Sequence, residues 1–368
     1  MQEYLGTYYF VYYLFIATFS VLITLLAIPS ILHVARTRHL YDDVGHFRKQ
    51  HDHGIPRLGG VAIFVSFTIT LLLFSIVDKS IPVSYILAAS IVLFIMGIKD
   101  DLSGVNPSTK FLIQLVVAIL LVTVGKIRFT SMYGVFGYHE IPYLVSAVLS
   151  SLFIILIINA FNLIDGIDGL AGTTCIIVNG TFAALFIYMG HYELATVALA
   201  IVGAVLGFLR YNLTPAKIFM GDAGSLLIGL ISAILAVKLV ELNRFTATGA
   251  APAIISAPAL TFAILIGPIF DTLRVFVLRV FTGKSPFLAD RNHIHHRILG
   301  LGFTHLQTVL LLAIVNIGLI FIAYFFSYLG NFTLMMIIVA LSMFCNWMVT
   351  FALRNRQREK LSLRNLFI

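Results

Sequence analysis

The 368-residue chain has little charge, since Asp, Glu, Lys and Arg make up only 11% of it. A soluble domain carries about 25% charged residues, so this composition excludes an ordinary soluble protein. No polar segment is long enough to form a separate soluble domain. The two cysteines, Cys175 and Cys345, lie in apolar stretches, which excludes a disulfide framework. Residues 1–10 contain no Lys or Arg ahead of the first apolar run, which predicts a retained span and not a cleaved signal peptide.

Apolar residues make up 60% of the chain, and the mean hydropathy is +1.01. A membrane-spanning helix needs roughly 20 apolar residues, with a range of about 17–25. The sequence therefore predicts an all-α polytopic integral membrane protein, a bundle of about 10–11 transmembrane helices. The candidate spans are 8–32, 58–77, 81–98, 111–125, 141–158, 170–189, 193–209, 224–240, 253–280, 306–328 and 332–353.

The positions of Lys and Arg predict the orientation of the chain. With the N-terminus outside, the cytoplasmic segments are 33–57, 99–110, 159–169, 210–223, 274–305 and 354–368. These segments hold most of the 24 Lys and Arg residues, the exceptions being Lys79, Lys126, Arg128, Lys238 and Arg244. The positive-inside rule thus predicts an outside N-terminus and a cytoplasmic C-terminus. Residues 1–353 are expected to form one transmembrane domain, and 354–368 a basic cytoplasmic tail that contacts anionic lipid.

The unusual polar clusters all fall on the predicted cytoplasmic side. In 99-KDDLSGVNPSTK-110, Asp100 and Asp101 are adjacent, and Lys110 opens the next span. Neighbouring carboxylates repel each other unless a cation or a proton separates them. Mg²⁺ suits this role because it binds carboxylates together with substrate phosphates. Taken alone, the stretch could also be a solvated turn.

The stretch 159-NAFNLIDGIDGLAG-172 places polar residues directly after an apolar span. If the helix continues past Ile158, Asn159 and Asn162 share one face. Asp165 and Asp168 extend the row at three-residue spacing, which predicts a polar stripe facing a cavity. Polar side chains at membrane depth usually mark function, although a cap-and-turn segment would have a similar composition.

In 211-YNLTPAKIFMGDAGSLLIG-229, Asp222 stands between glycines at the start of a span. Glycine permits close approach of backbone to ligand, and a helix N-terminus favours phosphate. Asn212 and Lys217 precede it, which an N-cap aspartate with small packing residues does not explain.

The stretch 290-DRNHIHHRIL-299 contains three histidines. On a helix, His293, His296 and Arg297 would share a face rich in donors, which suits a diphosphate. We prefer anion binding to zinc, because no cysteine accompanies the histidines and Arg291 and Arg297 would repel a divalent ion. A solvated loop is the third interpretation.

Three further features of the sequence each have a simple interpretation. Lys49 and Arg57 precede a Gly–Gly helix start and are either substrate contacts or juxtamembrane charge. Asp271 and Arg274 have the spacing of an ordinary intrahelical ion pair. The segment 126–142 alternates weakly and predicts a hairpin.

Carboxylates, cationic donors and a glycine-flanked helix start together predict a Mg²⁺-dependent phosphate site at the cytoplasmic face, with one amphipathic and one soluble substrate. A secondary transporter is the main alternative, but it would place its polar groups near the bilayer midplane and show an internal repeat. An intramembrane aspartyl protease fits less well, because it needs a second catalytic Asp inside a span and the sequence offers no clear one. A CDP-alcohol phosphotransferase also fits less well, because its motif needs an Arg shortly after Asp168 and none is present.

Four stretches, in this order, resemble the polyprenyl-phosphate N-acetylhexosamine-1-phosphate transferases, the MraY/WecA/TagO-like glycosyltransferase family 4. They are Lys99 to Lys110, NAFNLIDGIDGLAG, YNLTPAKIFMGDAGS and RNHIHHR, and PRLGG at 56–60 also looks like that family. The resemblance runs from about residue 40 to 300. The IDGIDGL and HIHHR forms look like the WecA/TagO branch more than the MraY branch.

The resemblance implies transfer of a HexNAc-1-phosphate from a UDP-sugar to undecaprenyl phosphate, with release of UMP. GlcNAc-1-phosphate is the HexNAc-1-phosphate expected first among the candidates. It implies a multi-pass protein of the bacterial inner membrane, an active site on the cytoplasmic face, and the first lipid-linked step of a cell-envelope polysaccharide. The expected cofactor is Mg²⁺, with Mn²⁺ as an alternative. The expected partners are UDP-N-acetylhexosamine, undecaprenyl phosphate and membrane lipid, with no nucleic acid, and a homodimer is left open.

The resemblance also implies roles for residues at matching motif positions. Asp222 would bind Mg²⁺, with Asn162 as a second ligand. Asp100 or Asp101 would orient or deprotonate the lipid phosphate, and Lys110 would hold phosphate. The nucleotide and sugar pocket would comprise Asn159, Asp165, Asp168, Asn212 and Phe219, and the diphosphate or sugar would meet Arg291, His293, His295, His296 and Arg297. Further substrate contacts are expected from Lys49, Arg57 and Lys217. Direct attack is preferred to an aspartyl-phosphate, because an ionised phosphate is already a nucleophile.

Overall fold

A computed structural model describes residues 2–40, 54–74, 83–137, 139–246, 253–281, 283 and 292–357. Within these ranges every regular element is helical. The helices are α1 (Gln2–Thr37), α2 (Gly59–Phe74), α3 (Val83–Ser103), α4 (Pro107–Thr123), α5 (Tyr143–Ile164), α6 (Leu170–Tyr188), α7 (Tyr192–Asn212), α8 (Gly221–Thr246), α9 (Ala257–Phe281), α10 (Ile294–Gly300), α11 (His305–Phe325) and α12 (Asn331–Gln357). Two single-turn 3-10 helices, Val135–Gly137 and Ser327–Leu329, complete the set.

Each predicted span corresponds to one apolar helix of the described structure, and the short α10 is the one α-helix there without a predicted span. Nine of the described helices are long and apolar enough to cross a membrane, and α2 and α4 are shorter apolar helices. The prediction of an all-α polytopic membrane protein is therefore confirmed. Which face is cytoplasmic stays a prediction. Helix α12 runs past the predicted domain boundary at residue 353, and the tail residues 358–368 lie outside the described residues.

Helix α8 is the centre of the bundle. It is apolar on all sides, and 94% of its most apolar 18-residue stretch is buried. A helix that is hydrophobic all round must be enclosed by other helices. Here α2, α3, α5, α6, α7 and α9 surround it, while α1 packs on α2 and α7, and α11 and α12 pack on α9.

Small residues allow α2 and α3 to approach the first turn of α8 closely. A Cβ on Gly60 would collide with the backbone of Gly224. A Cβ on Gly97 would lie 2.5 Å from the Cα of Ala223. Such small-residue contacts are typical of helix packing in membranes. They bring the polar ends of α2, α3 and α8 together at one end of the bundle.

At the opposite end, the predicted hairpin in 126–142 is present as one antiparallel bridge between Ser131 and Glu140. The backbone nitrogen of Met132 donates to the carbonyl of His139 at 2.8 Å. Glu241 of α8 fastens this segment by accepting hydrogen bonds from the backbone nitrogen and hydroxyl of Thr130, at 2.7 and 2.6 Å.

Candidate active site

Four helix ends meet at the end of the bundle where the polar ends of α2, α3 and α8 come together. We call this end the site end. Asp100 and Asp101 lie in the last turn of α3, and Lys110 lies in the first turn of α4. Asn162 lies in the last turn of α5, and Asp222 lies in the first turn of α8. The segment predicted as the loop 99–110 is therefore mostly helical, because α3 continues past its apolar part.

Lys110 lies between two carboxylates. Its Nζ donates to Oδ2 of Asp100 at 3.3 Å and also to Oδ2 of Asp222. The other oxygen of Asp222 accepts from Nδ2 of Asn162 at 2.8 Å, and that amide also donates to Oγ of Ser225 at 2.9 Å. One ammonium thus offsets only one of the two negative charges, so the cluster can accept further positive charge.

Asp101 is held differently from Asp100. Its two oxygens accept the backbone N–H groups of Asp222 and Ala223, at 2.7 and 3.0 Å, so Asp101 caps α8. Gly221, with φ of +70°, makes room for it, because a Cβ there would lie 2.7 Å from Oδ2 of Asp101. The expectation that this helix start is open to phosphate is wrong for these two amides, because the carboxylate already occupies them. Asp100 instead accepts from the backbone nitrogen of Val105 at 2.6 Å.

The predicted continuation of the helix past Ile158 is confirmed, since α5 ends at Ile164. The predicted stripe is only partly right. Asn159 faces α4, where its Nδ2 donates to Oε1 of the buried Gln114 at 2.7 Å. Asp165 and Asp168 follow the helix end and so do not continue its row, but both face the polar cavity described next.

A polar cavity of about 460 Å³ lies beside this cluster. Its volume is in the range of small-molecule sites, about 300–1,000 Å³. Its lining consists of Arg57, Asp101, Asn162, Asp165, Gly166, Ile167, Asp168, Asn212, Phe219, Gly221, Asp222 and His305. Four of these side chains are carboxylates, so the cavity is acidic and suits a ligand that carries or recruits cations.

Burial and the charges around this cavity change the pKa of Asp165. Burial raises the pKa of Asp165 well above its ordinary value, and the charges of Asp222 and Asp101 raise it further. The charge of Arg57 and the backbone of Gly221 oppose this rise in pKa without reversing it. The cavity therefore favours any change that reduces its negative charge.

Asn212 lines the cavity, but its amide also connects two loops. Its Oδ1 accepts from the backbone nitrogen of Gly169 at 2.9 Å, and its Nδ2 donates to the carbonyl of Ile218 at 2.9 Å. Asp168 makes a similar link by accepting from the backbone nitrogen of Ala216 at 3.3 Å. Lys217 is exposed and is not among the described residues that line the cavity.

The histidine cluster is organised by α9. Asp271 accepts from Arg274 at 3.0 Å, which confirms the predicted intrahelical pair. It also lies 2.9 Å from Nδ1 of His293 and accepts from the backbone nitrogen of Ile294 at 3.0 Å. One carboxylate therefore docks the start of α10 on α9.

The prediction of one open face for His293, His296 and Arg297 is wrong. Helix α10 begins only at Ile294, and His293 precedes it in extended backbone. Arg297 is buried and points to α12, where Nη1 donates to Oδ1 of Asn346 at 2.7 Å. His296 is half-buried beside His295. Arg297 is thus engaged by partners in α12, which adjacency in sequence does not reveal.

Of the three clustered histidines, His295 is the one that touches the loop of Gly166. A Cβ on Gly166, a residue of the cavity lining, would lie 2.5 Å from its Nε2. Burial lowers the pKa of His295 to about 3, and the neighbouring His296 adds to this effect. The ring is therefore neutral at physiological pH and supports the loop of Gly166 without adding charge to the site.

Lys49 and Arg291 lie outside the described residues, so their predicted contacts stay predictions. Sequence reasoning missed Gln114 and His305. Gln114 stands inside an apolar span, where a lone polar residue signals a buried partner. His305 follows Thr304, and the Thr–x–x–Gln pattern marks a helix start at the site end.

Comparison with known proteins identifies the class. The model of the family described as glycosyl transferase family 4 matches residues 83–240, which include α3 to most of α8. A protein of Bacillus subtilis (strain 168), named probable undecaprenyl-phosphate N-acetylglucosaminyl 1-phosphate transferase, is 33% identical over 298 residues, 81% of this chain and 80% of that protein.

Two further relatives come from other bacteria. The undecaprenyl-phosphate alpha-N-acetylglucosaminyl 1-phosphate transferase of Escherichia coli (strain K12) is 33% identical over 278 residues, 74% of this chain and 72% of that protein. The decaprenyl-phosphate N-acetylglucosaminephosphotransferase of Mycobacterium tuberculosis (strain ATCC 25618 / H37Rv) is 33% identical over 290 residues, 72% of this chain and 70% of that protein. The chain belongs to glycosyl transferase family 4.

Proposed function

We propose that this protein transfers GlcNAc-1-phosphate from UDP-GlcNAc to undecaprenyl phosphate, releasing UMP and forming undecaprenyl-diphospho-GlcNAc. The observation that carries the proposal is the Asp100–Lys110–Asp222 cluster beside an acidic cavity of ligand size. The names of the relatives supply the sugar and the prenyl carrier. The IDGIDGL and HIHHR forms support the WecA/TagO branch. The proposed reaction is then the first lipid-linked step in the synthesis of a cell-envelope polysaccharide.

The chemistry is displacement at phosphorus. An oxygen of the lipid phosphate forms a bond to the β-phosphorus of the sugar nucleotide, and the bond from that phosphorus to the bridging oxygen breaks. UMP carries away the electron pair of that bond. Phosphoryl transfer is catalysed mainly by positioning and charge neutralisation. Lys110, held between two carboxylates, is the cation placed to contact the phosphates.

The residues present fit a Mg²⁺ ion, or Mn²⁺ in its place, that is shared with the substrate. Mg²⁺ is bound by one or two carboxylates plus substrate phosphates and not by an all-protein cage. The carboxylate of Asp222 offers one ligand of that partial set, and Asn162, whose Nδ2 donates to Asp222 at 2.8 Å, would turn its amide oxygen to the ion as a second ligand. In the described part of the chain, no group of three or more His, Cys, Asp or Glu side chains is arranged to hold a metal ion. The ion would neutralise the phosphates when bound.

The two adjacent aspartates take different parts in this proposal. Asp101 is committed to the amides of α8, so Asp100 is the one that orients the lipid phosphate. Both Asp100 and Asp222 are bonded to Lys110, which lowers their nucleophilicity and supports direct transfer over an aspartyl-phosphate. A site at the end of the bundle suits a lipid headgroup at the membrane surface. With the N-terminus outside, that surface is the cytoplasmic face of the bacterial inner membrane.

The test is UMP release by the detergent-purified protein with Mg²⁺, undecaprenyl phosphate and a panel of UDP-sugars. We expect release that depends on lipid and metal, with UDP-GlcNAc as the best donor. Asp222→Asn should reduce the rate at least about 100-fold, the size expected for loss of a charged group at a transferring phosphate. Glu140→Gln, at the opposite end, is the control and should keep the wild-type rate. If folded protein releases no UMP from any UDP-sugar, the proposed transferase is excluded and a transporter becomes the preferred alternative.

A further inference from the structure

Gln114 is a buried amide on α4 that lies outside the polar cavity and the charged cluster. It follows Lys110 by four residues and is 1% exposed. Nδ2 of Asn159 on α5 donates to Oε1 of Gln114 at 2.7 Å, and Nε2 of Gln114 returns a longer hydrogen bond of 3.4 Å. The same Nδ2 donates to the carbonyl of Ile155 at 2.8 Å, which fixes the orientation of the Asn159 amide. The pair therefore joins α4 to α5 in one defined geometry.

The amide pair lies one helical turn deeper in the bundle than the charged cluster, on both helices. Residues three or four apart in a helix share a face. Lys110 and Gln114 have this spacing on α4, and Asn162 and Asn159 have it on α5. At the level of the cluster, Lys110 donates to one oxygen of Asp222 and Asn162 donates to the other. The distance between α4 and α5 that the amide pair sets is thus the distance across which Asp222 is held.

The first turn of α4 has little other support. Its N-cap residue, Asn106, makes no side-chain hydrogen bond to the helix. Residues 107–113 are exposed or only partly buried, so Gln114 is the first buried side chain of α4. The bonds of Lys110 to carboxylates cannot hold the helix during the reaction, because its Nζ must then contact phosphate. The amide pair is the nearest buried contact that can keep Lys110 in place.

Stability alone does not require an amide pair at this position. Hydrogen bonds between helices inside a membrane add only modestly to stability. Two apolar side chains of the same shape can replace such a pair at little cost. A hydrogen-bonded pair differs from an apolar one because it has a defined distance and direction, and a single buried amide can fix the register of two helices.

We propose that Gln114 is a positioning residue for the transfer reaction: through Asn159 it fixes the first turn of α4 and so places Nζ of Lys110 at the transferring phosphate. This inference rests on the proposed function and adds to it a residue that acts through Lys110. Loss of the pair would leave the charge of Lys110 in the protein but let α4 shift. A shift of about 1 Å in an active site can cost about 100-fold in rate.

The experiment measures UMP release per folded molecule by the full-length, detergent-purified protein, with Mg²⁺, undecaprenyl phosphate and UDP-GlcNAc. We expect Gln114→Leu, which is close to isosteric, to lower the rate at least about tenfold. Asn179→Leu is the matched control, because Asn179 is a buried amide on α6 that donates to Ser232 of α8 at 2.9 Å. Ser232 lies ten residues past Asp222, about 15 Å deeper along α8. Asn179→Leu should therefore keep the wild-type rate.

A double-mutant cycle tests whether Gln114 acts through Lys110. Lys110→Ala removes the group that is positioned, so adding Gln114→Leu to it should lower the rate no further. The exchanged pair, Gln114→Asn with Asn159→Gln, keeps two amides facing each other between α4 and α5. It should recover part of the rate that Gln114→Leu loses.

Three results would overturn the role of Gln114. They are a wild-type rate in Gln114→Leu, an equal loss of rate in Asn179→Leu, and an equal effect of Gln114→Leu with and without Lys110. Thermal unfolding checks that each variant is folded, and Gln114→Met replaces Gln114→Leu if the latter does not fold. If Lys110→Ala has no measurable rate, the exchanged pair decides, and a rate no higher than that of Gln114→Leu refutes the proposal. A wild-type protein that releases no UMP from any UDP-sugar would instead refute the proposed transferase, and the role of Gln114 with it.

Discussion

Asp100 and Asp101 are adjacent in sequence but have separate tasks. Both stand on α3, where successive side chains diverge by about 100° because a turn contains 3.6 residues. Asp100 therefore reaches Lys110, and Asp101 reaches the first amides of α8. One carboxylate is part of the charged cluster, and its neighbour holds the helix that carries Asp222.

This division predicts different consequences for the two residues. Asp101→Ala should lower the free energy of unfolding by about 1 kcal/mol, the usual cost of losing an N-cap. Asp101→Asn keeps one of the two acceptor oxygens, so its melting temperature should lie between those of Asp101→Ala and the wild type. Asp100→Asn, which does not touch the cap of α8, should melt like the wild type, but its UMP release should fall roughly 100-fold. Thermal unfolding in detergent and the UMP assay measure the two effects. Equal melting temperatures for Asp101→Ala and the wild type would refute the capping role.

At the residue scale, the sequence predicted which types of side chain form the site but not all of their partners. Helical spacing pointed to Asn162, and flanking glycines at the start of a span pointed to Asp222, because both patterns are local in the sequence. Helical spacing also placed Asn159 in the cavity, although Gln114, 45 positions away, pairs with it instead. Arg297 was expected at an anion and is held by Asn346, which is 49 positions away. Such partners are set by tertiary packing, and a single sequence does not display them.

Helices α3 and α8 make the contact on which the site geometry depends. Gly97 faces Ala223, one residue beyond Asp222, and Asp100 and Asp101 follow on the same helix. Gly97→Ala would insert a Cβ 2.5 Å from the Cα of Ala223, so the helices must separate. Displacements of about 1 Å in an active site can cost about 100-fold in rate. We expect UMP release to fall by about that factor while the protein stays folded.

Gly180→Ala on α6 is the matched control, because a Cβ there meets no atom within 4 Å. It should keep the wild-type rate and melting temperature. Equal activity of the Gly97→Ala and Gly180→Ala variants would show that the α3–α8 distance does not control the site.

At the element scale, the spans were predictable because hydropathy and length determine them in a membrane. The helix ends were less predictable. Helix α3 carries Asp100 and Asp101 past the end of its apolar part, since a helix does not stop where its side chains become polar. Helix α10, with seven residues, was predicted only as a possible helical face. Its position depends on Asp271 of α9, which is outside its own sequence.

For the whole molecule, the distribution of Lys and Arg predicts that the site end faces the cytoplasm. Ser103, after α3, and His139, in the opposite hairpin, are both exposed. With Cys175 and Cys345 replaced by Ala, His139→Cys should react with a membrane-impermeant maleimide in intact cells. Ser103→Cys should react only after the membrane is permeabilised. The reverse pattern of labelling would invert the proposed orientation and place the site outside.

The enclosure of α8 has a consequence for biogenesis. Five of its neighbours, α2, α3, α5, α6 and α7, precede it along the chain, and only α9 follows. As the chain emerges from the ribosome, those five helices can enter the bilayer before α8 is synthesised. The late helix then joins helices already present, with Asp222 at its start. The contacts of Lys110 with Asp100 and Asp222 are completed by this single docking event, after about two-thirds of the chain has been translated.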